Sequence, residues 1–388
     1  MTEWREFKIK DIADVVGGGT PSTAINEYWN GDIPWLTPKD LTGYIRNFIS
    51  HGERFITKKG LENSSARLLP KGTVLLTSRA PIGYVAIAEN EICTNQGFKS
   101  LVPNPDKAHN LFLLYWIKSN VEYLQSIGTG TTFQEISGSV LKDVDIILPP
   151  LPEQKAIAEV LSSLDDKIDL LTRQNKTLED LAQTYFRKWF LEENDNDTIM
   201  VSEIAKLENN SVSPKRQPLE PFHHYSIPAY DNAQTPVVEL GNTILSNKFT
   251  VQPNSILVSK LNPITPRIWR IDENVMPNSV CSTEFQVLKP YDIKHYLFLY
   301  FLMKSDDVVS SFAMSATGTS GSHQRIRPEY ILEVETPEPD NDKLILFNEI
   351  CTPMMERVKK NQQQIITLQK LRDTLLPKLI SGEVRVKQ

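Results

Sequence analysis

From Ile157 onward, apolar residues recur at alternating steps of four and three: Ile157, Leu161, Leu164, Ile168, Leu171, Asn175, Leu178, Ala182, Tyr185 and Trp189. A second run keeps the same rhythm through Phe347, Cys351, Met354, Val358, Asn361, Ile365, Leu368, Arg372, Leu375 and Leu379. This spacing is the seam of a coiled coil, and it predicts two long helices. If they pair antiparallel with position numbers summing to 536, every seam residue meets a seam partner and Asn175 meets Asn361. A buried pair of amides lowers stability but fixes register, because a slip leaves each without its partner. Charge agrees: residues 151–200 hold 6 basic and 11 acidic side chains, whereas 341–388 hold 9 and 5. Pro353 and Pro377 predict kinks or breaks near the ends of the second helix.

Outside these runs the pattern changes to short β-branched stretches punctuated by Gly, Pro, Asn and Thr, such as Thr73–Thr77, Tyr84–Ala88, Val144–Leu148 and Ser255–Ser259. Helical stretches at Asn110–Ser119 and Tyr296–Lys304 interrupt them. These elements come in two copies. Lys71–Gly83 resembles Pro253–Thr265, Cys93–Leu101 resembles Cys281–Leu288, and Leu111–Ser119 lies over Leu297–Ser305. Thr129-Gly-Thr131 with Gln134 and Ile136 recurs as Thr317-Gly-Thr319 with Gln324 and Ile326, and Ile33-Pro34 echoes Ile227-Pro228. All matches fall in one order, with offsets between 182 and 194. The predicted fold is α+β: two similar domains in pseudo-two-fold arrangement, separated by two long antiparallel helices. The expected segments are a first domain at 1–150, a first helix at 151–197, a second domain at 198–340 and a second helix at 341–388.

Charge and composition narrow the function. No apolar run approaches the ~20 residues that span a bilayer, and the N-terminus lacks a secretory pattern, so a cytoplasmic protein with no membrane partner is expected. Cys93, Cys281 and Cys351 stand too far apart for a disulfide scaffold or a cysteine zinc site. The six histidines have no ligand spacing, so no metal is expected. No Asn/Asp-Pro-Pro-aromatic motif or phosphate-cradling Gly-rich loop occurs. Asp145, Glu153 and Lys155 superficially match a metal-dependent nuclease, but Pro152 and Glu153 suit the first turn of a helix equally well. The chain is therefore read as non-catalytic. Two similar domains on a stiff rod suit duplex DNA, and a seam of about 50 Å exceeds one turn of about 34 Å. The net charge of −6 opposes that reading, so the chain alone should bind DNA weakly.

Base edges are read by side chains with fixed donors and acceptors. In the first domain the candidates are Thr20, Ser22, Lys39, Ser78, Arg79, Lys99, Thr132 and Gln134. In the second they are Lys215, Arg216, Tyr230, Lys260, Asn262, His323, Gln324 and Arg325. Gly17-Gly18-Gly19 is a further candidate, as backbone N–H groups open to a phosphate.

Leu148-Pro-Pro-Leu-Pro-Glu-Gln154, Leu375-Leu-Pro-Lys-Leu-Ile-Ser-Gly-Glu383, Gly18-Gly-Thr-Pro-Ser22 and Arg79-Ala-Pro-Ile-Gly83 together resemble the specificity subunits of type I restriction-modification systems. Departures are Pro337-Glu-Pro-Asp-Asn-Asp342 in place of a second Pro-Glu-Gln, and Asn209–Pro214 in place of the Gly-rich turn. The resemblance implies two target-recognition domains, each reading half of a bipartite, asymmetric site on double-stranded DNA. It implies helices that set the spacer and dock two methyltransferase subunits, which carry S-adenosylmethionine; this chain would hold no cofactor itself. A nuclease/translocase subunit joins in the restriction complex. Leu181, Phe186 and Phe190 would then form docking surface. Two other readings stay open: an orphan DNA-binding adaptor or decoy, and a coiled-coil spacer scaffold with protein-binding ends.

Overall fold

The computed structural model describes residues 4–130, 134–193, 197–316 and 324–386. Four helices organise the chain: α1 (Asn110–Ser119), α2 (Leu151–Phe186), α3 (Tyr296–Met303) and α4 (Asn341–Ser381). The end of α2 widens into a π-helical turn, Arg187–Glu192. Helix α4 passes through Pro353 and Pro377 without ending, so the expected breaks are absent. Both prolines face solvent, and buried Cys351, Met355, Leu379 and Ile380 hold the backbone on either side. That packing outweighs a local cost of ~3 kcal/mol per internal proline. The chain divides into two compact units, Met1–Arg173 with Gln363–Gln388, and Gln174–Gln362. Each unit therefore holds one mixed domain and a piece of both long helices.

In the first unit a five-stranded sheet runs in the order Ala13–Gly17, Lys99–Pro103, Val74–Ser78, Ile82–Ala88, Phe48–Ile49. A second sheet is Arg54–Ile56, Trp29–Leu36 and Cys93–Thr94. Helix α1 is apolar on nearly every side because it is enclosed: Phe112 to Ile117 are all buried, in a core shared with Val74, Leu76, Ile82 and Ile87. Ile157 and Leu161 of α2 enter that core together with Leu379 and Ile380 of α4, the antiparallel pairing that the seam predicts. The Pro-Glu-Gln entry to α2 is a structural rivet. Gln154 accepts the His109 N–H and donates to the Lys107 and Pro149 carbonyls, while Glu153 receives the Arg385 guanidinium at 2.6 Å. Asp145 pairs with Lys8 at 3.1 Å. Asp145 and Glu153 thus pair with separate basic partners.

Deeper in this unit, α2 presents buried Asp165 to four groups, one of them the Asn47 amide, which donates to it at 3.1 Å. Its carboxylate accepts from Tyr115 at 2.8 Å and from Arg372 at 2.9 Å, with the Lys118 ammonium 3.5 Å away. Burial alone would raise its pKa, but Lys118, Arg372 and the Tyr115 hydroxyl together hold it below the usual carboxylate range.

The second unit repeats the plan with a four-stranded sheet, Ala205–Leu207, Phe285–Pro290, Ser255–Ser259, Ile268–Ile271, and a five-stranded sheet that includes Pro221–Tyr225, Val237–Leu240 and Ser279–Cys281. Helix α3 is buried along its whole length. The docking role expected of Phe186 and Phe190 is overturned here. Both are fully buried, with Phe190 meeting Phe298 and Phe347 edge to face at 5.1 and 5.3 Å. This end of α2 is apolar beyond its seam: Trp189 meets Phe347 of α4, while Phe186 and Phe190 pack on Phe298 of α3 as well as on Phe347. Leu181 remains exposed. Asn361, only 1% exposed, donates to the Asn175 side-chain oxygen at 2.8 Å and to Gln174 at 3.0 Å.

The backbone also corrects the internal alignment. Trp35 pairs with Cys93 in the first unit, as Tyr225 pairs with Cys281 in the second. Ile227-Pro228 therefore corresponds to Thr37-Pro38, at the start of the short helix after the strand, rather than to Ile33-Pro34. Proline suits that first helical turn, where its missing N–H would have no partner anyway.

Candidate nucleic-acid interface

In both units a buried strand, Val74–Ser78 or Ser255–Ser259, leads into a tight turn that ends in Pro81 or Pro263. The residue before each proline has a positive φ, +47° at Ala80 and +49° at Asn262. A later segment closes over each turn through a backbone bridge, Arg79 with Glu135 and Leu261 with Arg325. An ion pair then pins the closure. In the first unit Glu135 sits 3.1 Å from Lys99 and 3.5 Å from Arg79. In the second, Arg325 forks onto Glu284 with both contacts at 3.1 Å. The polarity is reversed between the copies.

Next to the first turn lies the Gly17–Ser22 loop. Trp35 donates its indole N–H to the Gly19 carbonyl at 2.9 Å, and Trp29 donates to that of Ser22 at 3.1 Å. Gly19 itself donates to the Thr94 carbonyl. A Cβ on Gly18 would stand 2.1 Å from the Asn95 carbonyl oxygen. Gly18 and Gly19 therefore serve close backbone packing, and within the Gly17-Gly18-Gly19 run the expectation that Gly19 exposes its N–H to a phosphate is overturned.

The candidate residues divide accordingly. Arg79 and Gln134 border the first turn, and Lys99 lies largely buried beside Glu135. Thr20 shares a hydrogen bond with Gln96, Ser22 is exposed, and exposed Lys39 pairs with Glu53 at 3.1 Å. Ser78 is overturned as a reader: it is fully buried and donates to the Gly97 carbonyl. In the second unit Lys260, Asn262, Gln324 and Arg325 gather at the corresponding turn, where Asn262 donates its N–H to the Gln324 carbonyl. Lys215 and Arg216 are exposed on the short helix Pro214–Arg216. Tyr230 is overturned too, because its ring packs on Trp269 and its hydroxyl donates to the Ile268 carbonyl. Burial pushes that hydroxyl up to about 12. Thr132 and His323 lie outside the described residues. Among the described residues no His, Cys, Asp and Glu cluster could hold a metal ion.

Residues 1–180 match the family model described as type I restriction modification DNA specificity domain. The chain is 37% identical to the MjaIX specificity subunit of Methanocaldococcus jannaschii, across 100% of this chain and 94% of that one. The chain belongs to the type I restriction enzyme specificity subunits. The EcoR124I/EcoR124II specificity subunit of Escherichia coli is 30% identical over 44% of this chain and 41% of its own. The crystal structure of the S subunit from M. genitalium shares the fold at a TM-score of 0.64 and 18% identity, covering 97% of this chain and 96% of that one.

Beside the candidate residues stand two that sequence reasoning did not single out, Arg54 and Gln96. Arg54 lies over the Trp29 ring, and Gln96 meets Thr20. Neither spacing nor composition marks them, because both relationships join residues far apart in the chain.

Proposed function

We propose that this specificity subunit reads a bipartite, asymmetric DNA site, one half with each domain, and that it performs no catalysis itself. The observation that carries this is the duplicated strand-and-turn frame closed by ion pairs of opposite polarity, Glu135 with Lys99 and Arg325 with Glu284. Two equal scaffolds bearing different polar edges suit two different half-sites, whereas identical edges would suit a palindrome. The long helices set the spacer and dock two methyltransferase subunits, which bring S-adenosylmethionine. Exposed Leu181 belongs to that docking surface. A nuclease/translocase subunit completes a restricting complex. The net charge of −6 fits a chain that gains most of its phosphate contacts from such partners. The compartment is the one that holds the DNA, the cytoplasm; no described helix is long and apolar enough to cross a membrane.

Methylome sequencing tests the proposal. The chain is expressed with its methyltransferase subunit in a methylation-free host, beside the methyltransferase alone. An asymmetric bipartite motif carrying methylated adenine only when this chain is present is expected. An intact methyltransferase with no motif in either strain would favour the decoy or scaffold reading.

A further inference from the structure

Arg54 sits on an exposed strand edge with its guanidinium carbon 3.6 Å from the Trp29 ring centroid and 5.2 Å from that of Trp35. The two indoles meet edge to face at 5.0 Å, and each is anchored at its N–H to the Gly17–Ser22 loop. The arginine is thus held by rings that also hold the loop bearing Thr20 and Ser22. Its neighbour Glu53 pairs with Lys39 instead. Among the described residues no carboxylate or carbonyl accepts from the Arg54 guanidinium.

We propose that Arg54 is a DNA-contacting residue of the first domain, presenting its guanidinium fork to a pair of acceptors on the duplex. This rests on the DNA-reading function above. A guanidinium carries parallel donors that match either the O6 and N7 of guanine or two phosphate oxygens. Stacking on Trp29 restricts the side chain before DNA arrives, which lowers the ordering cost of binding and favours one geometry. Among the described residues no acid pairs with its exposed charge, so DNA acceptors would complete its hydrogen bonding. The second domain differs at this place: the strand beside Pro221–Tyr225 sets Val237 opposite His224, preceded by Pro236, with no arginine. Arg54 therefore serves one half-site only.

The test uses the chain assembled with its methyltransferase subunits. Binding to a duplex library randomised over both half-sites is measured at several salt concentrations for the natural chain, Arg54→Lys and Arg54→Ala, with thermal unfolding of each. For a guanine contact, Arg54→Ala loses about tenfold preference at one position of one half-site, and Arg54→Lys, which lacks the planar fork stacked on Trp29, loses part of it at that same position. For a phosphate contact, Arg54→Ala weakens all sequences alike and flattens the logarithmic salt slope by ~0.9. Unchanged affinity, preference and salt slope in both variants, while the natural complex keeps its preference, overturns the inference alone. A natural complex without sequence preference overturns the DNA-reading function and this inference with it.

Discussion

Glu135 and Arg325 occupy the same place in the two repeats, one residue after Gln134 and Gln324, and carry opposite charge. Each closes the segment over its turn, Glu135 by accepting from Lys99 and Arg325 by donating to Glu284. The backbone solution is shared and the charge pattern is not. A duplicated domain can change what its surface reads in this way without changing its fold.

Replacing Glu135 by Gln removes the acid that neutralises Lys99 and Arg79. These pairs are partly exposed, so folding stability should change by less than about 1 kcal/mol. Binding of the assembled complex to non-cognate DNA should rise several-fold at low salt, and preference in the first half-site should blur. Arg325→Gln should do the reverse, leaving Glu284 to repel phosphate. Competition binding at two ionic strengths checks both; equal affinities for the two variants would remove the charge reversal from any role in reading.

The glycine run separates packing from flexibility. A Cβ on Gly19 would lie 2.3 Å from the Ser65 carbonyl carbon, whereas one on Gly17 meets only the Lys99 side chain at 4.0 Å. Gly19→Ala should therefore cost about 2 kcal/mol or more through overpacking, while Gly17→Ala should stay within about 0.5 kcal/mol. Denaturant unfolding of the pair checks this. Equal stability would mean that the loop is looser than its two indole anchors suggest.

Acid should act on the first unit through Asp165. Its carboxyl titrates below the usual range, so the stability it contributes is complete above the ordinary value of about 3.9 and is lost as pH falls from there toward the lower folded value. Asp165→Asn should destabilise by about 3 kcal/mol near neutrality, because Arg372 and Lys118 lose their buried counter-charge. The gap between natural chain and variant should stay flat from about pH 7 to 5 and narrow below about pH 4. Thermal midpoints measured across this range decide it; a gap that widens in acid would remove Asp165 as the titrating group.

Much of this fold is legible along the chain, and particular residues show where legibility stops. The heptad seam is local and periodic, so it announces helices α2 and α4, and their antiparallel sense follows from matching Asn175 to Asn361. Phe186 and Phe190 escape that rule because a coiled-coil pattern specifies one face, whereas their burial against α3 depends on a contact far away in sequence. Ser78 and Tyr230 have the chemistry of base readers, yet their hydroxyls are committed to the Gly97 and Ile268 carbonyls. Side-chain type sets what a residue can bond, and only tertiary packing sets whether it is free to do so.

The Asn175–Asn361 contact carries the last prediction. Asn361 donates to both Asn175 and Gln174 from a site that is 1% exposed. Asn361→Leu alone buries a leucine against amides that have lost their partner, and should cost roughly 1–2 kcal/mol. Replacing both asparagines by Leu removes the Asn175 amide too and leaves only exposed Gln174, which water can satisfy, so the chain should be more stable than the natural one by about 1–3 kcal/mol. The gain should come with lost register, because leucines pack acceptably at several offsets where the amide pair accepts one. Denaturant unfolding of both single variants and the double variant measures the coupling. Methylome sequencing of the double variant then reads register directly, as methylation spread over more than one spacer length. A single unchanged spacer in that more stable chain would show that apolar packing along the seam, not the amide pair, fixes the helices against each other.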